Sequence, residues 1–468
     1  MSNRRWTRTL AAITSGAVVA TTMVGAGVTV VMGQLEGNIT ALDVSEQTGE
    51  VVVETESLVI DEETGEQAPF NVLLMGSDTR QGKGNRGFGS VAEFGSAERS
   101  DTTILLHVSA DRSRATAVSI PRDTLITLPI CTTDGTDVGG YQGKFNEAFM
   151  IGGPGCAIKA VEEMSGIELD NFMVVDFGGF KRIVEALDGV EVCLTEPVND
   201  PKSGLKLDAG LQTVNGDQGL AFVRTRIGLG DGSDTSRIRR QQAFLSSMAR
   251  KVLSAGTLLN PAALVGVLNA ATESLTADPQ LANIDNLRDL AVSMQDLRPA
   301  DITFTTMPWY PAGDGANVLQ NKKKAKPLWT SIKNDTAWPP KKNADQPLLR
   351  TEPESVRVKV LNATGVKGAG KKAKKLLREQ GFNVVEVANA RDDKYTSTTV
   401  LFDPGWDVSA KTLIYSAGAA SEAVEGMGQT MTLVVGSDFI VAKPVTISAA
   451  LKDNTANINT ADESFCAS

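Results

Sequence analysis

The chain begins with a stretch that a water-soluble core has little use for. From Leu10 to Gly33 no residue carries a charge, and Arg4, Arg5 and Arg8 stand just before it. As a helix this run is about 36 Å long, enough to cross a hydrocarbon core of about 30 Å. The first acid is Glu36, so the positive flank is N-terminal and stays inside. A cleaved signal peptide is the rival reading, but its apolar region is usually shorter. The sequence therefore predicts a single-pass cell-membrane protein. Residues 1–9 are cytoplasmic, 10–33 span the membrane, and all that follows is extracellular.

An outside location decides how the cysteines read. All four, Cys131, Cys156, Cys193 and Cys466, follow the span, and an even count in an oxidising compartment predicts two disulfides. Cys131 and Cys156 lie in the Gly-rich region around Lys144–Asn146 and are expected to be bridged. The remaining pair, Cys193 with Cys466, would pin the tail to the preceding domain. Their spacings match no zinc motif. The chain has one histidine, His107, within the apolar run Thr102–Val108, where a buried core residue is expected. A Ser-His-Asp triad would have to use it, so the chemistry falls to carboxylates, arginines and a hard metal. The formal net charge of -10 makes nucleic acid an unsuitable partner. An acidic chain that binds phosphate must gather its arginines locally.

Hydrophobic periodicity divides the extracellular part. Residues 34–69 are acidic and poorly periodic, and read as a stalk with one short strand at Val51–Val53. Residues 70–335 form the main domain. Asn71–Met75 is a strand buried on both faces, and Thr103–Val108, Ala115–Ile120, Phe172–Asp176 and Val190–Leu194 are further strands. Ala157–Met164, Phe180–Leu187 and Ser236–Leu253 are helices, and the interleaving implies an α/β layered fold. The basic run Asn321–Lys326 reads as a solvated loop, and residues 336–354 as a linker. Residues 355–442 make a small α/β module, with strands at Val356–Leu361, Val384–Val387, Thr399–Phe402 and Thr432–Val435. Its helices are Ala369–Gln380, closed by Gly381, and Ala410–Ala417. The module lacks clustered acids, histidine or cysteine, which suits binding better than catalysis. Residues 443–468 are a polar tail.

The chemistry-bearing residues recur at strand ends, where open α/β sheets bind ligands. Met75–Arg80 places Asp78 and Arg80 after the first strand. Glu98–Thr103 places Arg99 and Asp101 before the second. Two carboxylates at neighbouring strand ends could share a magnesium, which prefers oxygen ligands. Ser119–Asp123 adds Arg122, and Lys144 with Asn146 offers a cation and an amide. In Phe222–Arg226, read as extended, Arg224 and Arg226 point to one face. Asp234 can start the next helix, on which Arg237 and Arg240–Gln241 share a face. Converging guanidinium forks suit a pyrophosphate, because they bind phosphate oxygens bidentately.

At these motifs the chain resembles the LytR-CpsA-Psr family of cell-wall glycopolymer ligases. The matching stretches, in order, are Asn71–Arg80, Arg99–Thr102, Val118–Asp123, Asp176–Phe180, Leu187–Val190, Leu220–Arg226 and Asp234–Gln241. Val356–Phe439 resembles the small C-terminal module of many actinobacterial members. The resemblance implies a three-layer α/β/α domain with an apolar tunnel for a polyprenyl tail, and Mg2+ (or Mn2+) held through Asp78 and Asp101. It places Arg80, Arg99, Arg122, Arg224, Arg226, Arg237 and Gln241 around a pyrophosphate. From the residues themselves, Lys144 adds a further cation, and Asp234, which neighbours the arginines, is either a base for the acceptor hydroxyl or a helix cap. The resemblance implies as partners a polyprenyl-pyrophosphate-linked glycan, a peptidoglycan acceptor and the membrane. Hydrolysis of the carrier, transfer to a surface protein and non-catalytic wall binding are the alternatives. The family's usual glycine is replaced at Asp188 and Ser236.

Overall fold

The computed structural model describes residues 39–49, 67–77, 99–225, 234–254, 261–272, 275–294, 296–340, 347, 349–390, 394–447 and 458–462. The expected membrane span and the strand at Val51–Val53 lie outside these residues. Among the described residues no helix is long and apolar enough to cross a membrane.

The large domain is built on an eight-stranded mixed sheet. Its strands, in chain order, are β1 (Thr40–Ala41), β2 (Phe70–Ser77), β3 (Ser100–Val108), β4 (Ala115–Ile120), β5 (Asn171–Val175), β6 (Leu275–Ala277), β7 (Ile302–Thr306) and β8 (Asn459–Thr460). They lie in the order β1-β6-β5-β2-β3-β4-β7-β8. β2 runs antiparallel to β3 and parallel to β5; β4 runs antiparallel to β3 and parallel to β7. The helices are α1 (Ser45–Thr48), α2 (Phe145–Ser165), α3 (Phe177–Ala186), α4 (Gly216–Arg224), α5 (Asp234–Val252), α6 (Pro261–Thr272), α7 (Ile284–Ser293), α8 (Lys322–Lys333), α9 (Ala369–Glu379) and α10 (Asp407–Ala417).

Strand alternation makes two cores. Leu73, Met75, Leu105 and Val118 point to one face and pack with Phe145, Ala157 and Val161 of α2 and Leu328 and Ile332 of α8. Val72, Ile104, Ala117 and Phe304 point to the other, against Leu245 and Ala249 of α5 and Leu287 and Leu290 of α7. A sheet with helices on both faces is the three-layer arrangement expected. Beside it, Val190–Leu194 pairs with Gly210–Val214 in a separate hairpin packed on α3, α4 and α5, so this strand stands outside the main sheet. At the hairpin's start Asp188, where the family's usual glycine is replaced, adopts a left-handed φ of 55°. Aspartate tolerates that conformation better than most side chains.

Five expectations are corrected. The stalk does not extend to residue 69: β1 pairs with β6, and Ile39 and Val44 are buried, so the large domain already includes Ile39–Gly49. The tail is not free, because Asn459–Thr460 pairs with β7. The basic run at Asn321–Lys326 is no loop; Asn321 caps α8 by accepting from the Lys324 amide, and Ala325 and Leu328 are buried beneath the lysines. Phe222–Arg224 is helical. Asn215 and Gln218 form a reciprocal capping box that starts α4, which the alternating reading of the later residues overlooked. The linker is also partly structural, since Trp338 is buried in the large core.

The C-terminal module has a five-stranded sheet in the order Asn383–Asn389, Arg357–Asn362, Thr430–Val435, Thr399–Phe402, Ala420–Ala423. α9 and α10 cover it, with Val358, Val360, Leu377, Leu413 and Leu433 fully buried. Gly381 follows α9 with a left-handed φ of 91°, as a helix-closing glycine should.

Cys131 and Cys156 are bridged, their Cα atoms 5.8 Å apart. Cys193 is also disulfide-bonded; its expected partner, Cys466, lies outside the described residues. Closing the Cys131–Cys156 loop contributes about 3 kcal/mol by the chain-entropy relation. We predict that Cys131→Ser with Cys156→Ser lowers the urea-unfolding free energy by about that amount. An unchanged midpoint would show the bridge to be dispensable.

Candidate active site

α3, α4 and α5 do not close completely onto the sheet. Between them and the ends of β2, β3 and β5 lies a cavity of about 400 Å³. Its walls are apolar: Leu74, Ile104, Met173 and Val175 come from the sheet, Phe180 and Ile183 from α3, Leu220 and Val223 from α4, and Phe244, Leu245 and Met248 from α5. The helical contributions recur every three or four residues, as one helix face requires.

The charged and amide side chains of the cavity are Asp101, Asp176, Arg224, Arg237 and Gln241. Local structure places each. Gly76 pairs with Thr102 and Ser77 with Ser100, so Asp101 is the extra residue of a β-bulge, a device that re-aims a side chain. Asp176 caps α3, its Oδ1 accepting from the Gly179 amide at 2.7 Å. Arg224 ends α4 with its guanidinium stacked 4.5 Å from the Phe177 ring centroid. Arg237 and Gln241 are one turn apart on α5. Arg237 is buried, and Gln241 Nε2 donates to Val223 O at 3.4 Å.

A chain of ion pairs extends from Asp101. Arg122 Nη1 lies 2.5 Å from Asp101 Oδ1, Arg122 Nε 3.4 Å from Asp123 Oδ2, and Lys144 Nζ 2.9 Å from Asp123 Oδ1. The structure thus gathers Asp101, Arg122, Lys144, Arg224, Arg237 and Gln241 at one side of the domain. Arg99, two residues before Asp101, has Nη2 3.8 Å from Met150 Sδ and does not line the cavity. Arg240, grouped from sequence with Arg237, is buried away from the cavity and donates to Thr225 O; it ties α5 to the end of α4. Asp234 is the first residue of α5. Asp78, Arg80 and Arg226 lie outside the described residues.

His107 takes no part. It is buried, with Nδ1 2.9 Å from Asn71 Oδ1 and Nε2 3.1 Å from Asp335 Oδ1, and burial lowers its pKa more than Asp335 raises it. It is the satisfied core residue expected. Among the described residues no three His, Cys, Asp or Glu side chains gather as a metal cluster. Asp101 supplies a hard oxygen beside the guanidinium groups. Magnesium accepts such a donor, since it binds through one or two carboxylates completed by substrate phosphates.

Residues 32–334 match the LytR_cpsA_psr family, and residues 355–439 match a domain described as LytR cell envelope-related transcriptional attenuator. The chain belongs to the LytR-CpsA-Psr family. A relative in Corynebacterium glutamicum, cell wall biosynthesis protein LcpA, is 31% identical over 416 residues, covering 82% of this chain and 75% of that protein. The polyisoprenyl-teichoic acid–peptidoglycan teichoic acid transferase TagT of Bacillus subtilis is 28% identical over 57% of this chain and 76% of its own length. A solved structure described as TagT bound to LIIa-WTA aligns with a TM-score of 0.45 at 24% identity, over 63% of this chain and 98% of that one.

Residue-level reading of this LytR-CpsA-Psr chain missed Asp176 as a cavity residue, and the apolar walls themselves. Their signal was present as the helical spacing of Phe177, Phe180 and Ile183 and of Gln241, Phe244, Leu245 and Met248. Such stripes ordinarily mark core, so only the unfilled space distinguishes them. Val223→Trp should fill the cavity and reduce uptake of a fluorescent polyprenyl phosphate, while thermal unfolding stays near wild type. Undiminished uptake would mean that the cavity does not receive the chain.

Proposed function

We propose that this protein moves a glycan phosphate from a polyprenyl-pyrophosphate carrier to a hydroxyl of peptidoglycan, at the outer face of the membrane to which Leu10–Gly33 anchors it. The observation that supports this reading is the union of an apolar cavity with a rim of arginines. A polyprenyl pyrophosphate needs both environments within one molecule's length. The activity for which TagT is named, transfer of polyisoprenyl-linked teichoic acid to peptidoglycan, agrees with it.

In this reading Arg122, Arg224 and Arg237, with Arg80, Arg99, Arg226, Lys144 and Gln241, grip the pyrophosphate. Their fixed positive charge stabilises the charge that develops as the bond breaks. The acceptor oxygen forms a bond to the glycan-bearing phosphorus. The bond from that phosphorus to the bridging oxygen breaks, and polyprenyl monophosphate leaves with the electron pair. The hydroxyl proton passes to a carboxylate, for which Asp234 at the start of α5 is the candidate. Magnesium or manganese, held by Asp78 and Asp101, would add charge neutralisation at the phosphate oxygens.

The test is a transfer assay with a polyprenyl-pyrophosphate-linked oligosaccharide and peptidoglycan. Glycan covalently attached to the acceptor is expected; release of glycan phosphate into water, with no acceptor product, would identify a hydrolase instead. In that assay Arg224→Lys keeps the charge but loses the planar fork, so turnover should fall about tenfold or more, as for loss of a charged hydrogen bond. Asp101→Asn should lower turnover and weaken its dependence on added magnesium together. Asp234→Asn separates two roles, because asparagine supports a helix start as well as aspartate but cannot take a proton. An inactive variant that still binds the carrier supports the base; full activity removes Asp234 from the reaction.

A further inference from the structure

We propose that residues 458–462 form a strap by which the C-terminal module positions α5, the helix that carries Arg237 and Gln241 to the cavity. The helix shows two working faces. Arg237, Gln241, Leu245 and Met248 line the cavity. Gln242, Ser246 and Arg250, spaced four residues apart, form a second stripe that is bonded at three successive turns. Gln242 Nε2 reaches Ser119 Oγ at 2.9 Å and Thr305 O at 3.0 Å, both within the large domain's sheet. The next two turns are held by the strap: Asn459 Nδ2 donates to Ser246 Oγ at 3.3 Å, and Arg250 Nη1 donates to Ala461 O at 2.7 Å.

The strap is itself firmly seated. Thr460 pairs with Thr303 and Asn459 with Phe304, and the Ala461 amide donates to Ile302 O at 3.0 Å. This is strand addition to a sheet edge, performed by the chain on itself. Ile458 and Ala461, on opposite faces, are buried in the two different cores. The module grips the same segment: Lys411 Nζ of α10 lies 2.6 Å from Asp462 Oδ2. Arg250 is also within electrostatic reach of Asp407 at the start of α10, of Glu191 in the hairpin and of Asp462. One guanidinium thus joins the site helix, the module and the tail. Arg250 touches no part of the cavity, and acts as a positioning residue through α5.

The activity consequence rests on the proposed reaction; the mechanical one does not. The experiment therefore pairs two measurements on the full-length protein in detergent, comparing wild type, Arg250→Ala and Asn459→Ala. Geranylgeranyl pyrophosphate serves as the probe for binding, and amide hydrogen exchange across residues 236–252 reports the helix. The strap account expects exchange in that segment to quicken and the probe's Kd to rise about tenfold in Arg250→Ala, as for loss of one charged hydrogen bond. Exchange in the β2–β3 pair should stay near wild type, which a general loss of stability would not allow. Arg250→Lys, which retains a donor and the charge, should restore part of both. Unchanged exchange in 236–252, or equal acceleration throughout the large domain, overturns the strap. If wild type itself fails to bind the probe, the proposed substrate is at fault, and the exchange result still decides the strap.

Discussion

Gln242 is the fixed point on which the site depends. Its side chain is fully buried, with Nε2 within reach of Ser119 Oγ, Thr305 O and Thr306 Oγ1, and these belong to two parallel neighbours of the sheet. Leaving a buried amide unsatisfied costs about 1–3 kcal/mol, so α5 cannot slide or settle without breaking this contact. The residues before it, Arg237 and Gln241, are thereby held at the polar part of the cavity, and those after it at the apolar part.

The same helix therefore separates two solvents. A prenyl chain gains from leaving water, whereas a pyrophosphate loses unless each charge is met. In the proposed reading the packed sheet and helix faces would meet the first need and cations at element ends the second, the helix-closing Arg224 and Arg237 in the first turn of α5, with the bulged Asp101 and the cap Asp176 beside them. The ion-pair chain from Asp101 through Arg122 and Asp123 to Lys144 holds cations in place before any ligand arrives, which reduces the reorganisation that binding requires. A chain with a formal net charge of -10 achieves this by concentrating its guanidinium groups rather than by overall charge.

What was legible in the sequence was what local physics controls. Asn71–Met75, Thr103–Val108 and Ala115–Ile120 announce themselves by apolar composition, and each is a strand of the main sheet. The Cys131–Cys156 bridge followed from compartment and proximity. What was not legible depends on distant partners. β1 and β8 are two residues each and have no periodicity of their own; they exist because β6 and β7 offer open edges. Arg224 was read on a strand because a short apolar run fits both periods; the capping box at Asn215 was the local signal that decides for a helix. The lysine run at 322–326 hides a helix start because it lacks the acids that usually mark one, although Asn321 is a good cap. Arg240 was grouped with Arg237 by spacing alone, and only the position of Thr225 shows that it serves the fold.

The central claim is that one polyprenyl pyrophosphate occupies both environments, tail in the cavity and phosphates among the arginines. A polyprenyl pyrophosphate with a photoreactive group at the far end of its tail measures this most directly, with cross-linked peptides mapped by mass spectrometry. The account predicts labelling of the walls, at Met173–Ile183, Leu220–Val223 and Phe244–Met248, and its suppression by unlabelled carrier. Labelling confined to the C-terminal module or to exposed surface, unaffected by competitor, would contradict it.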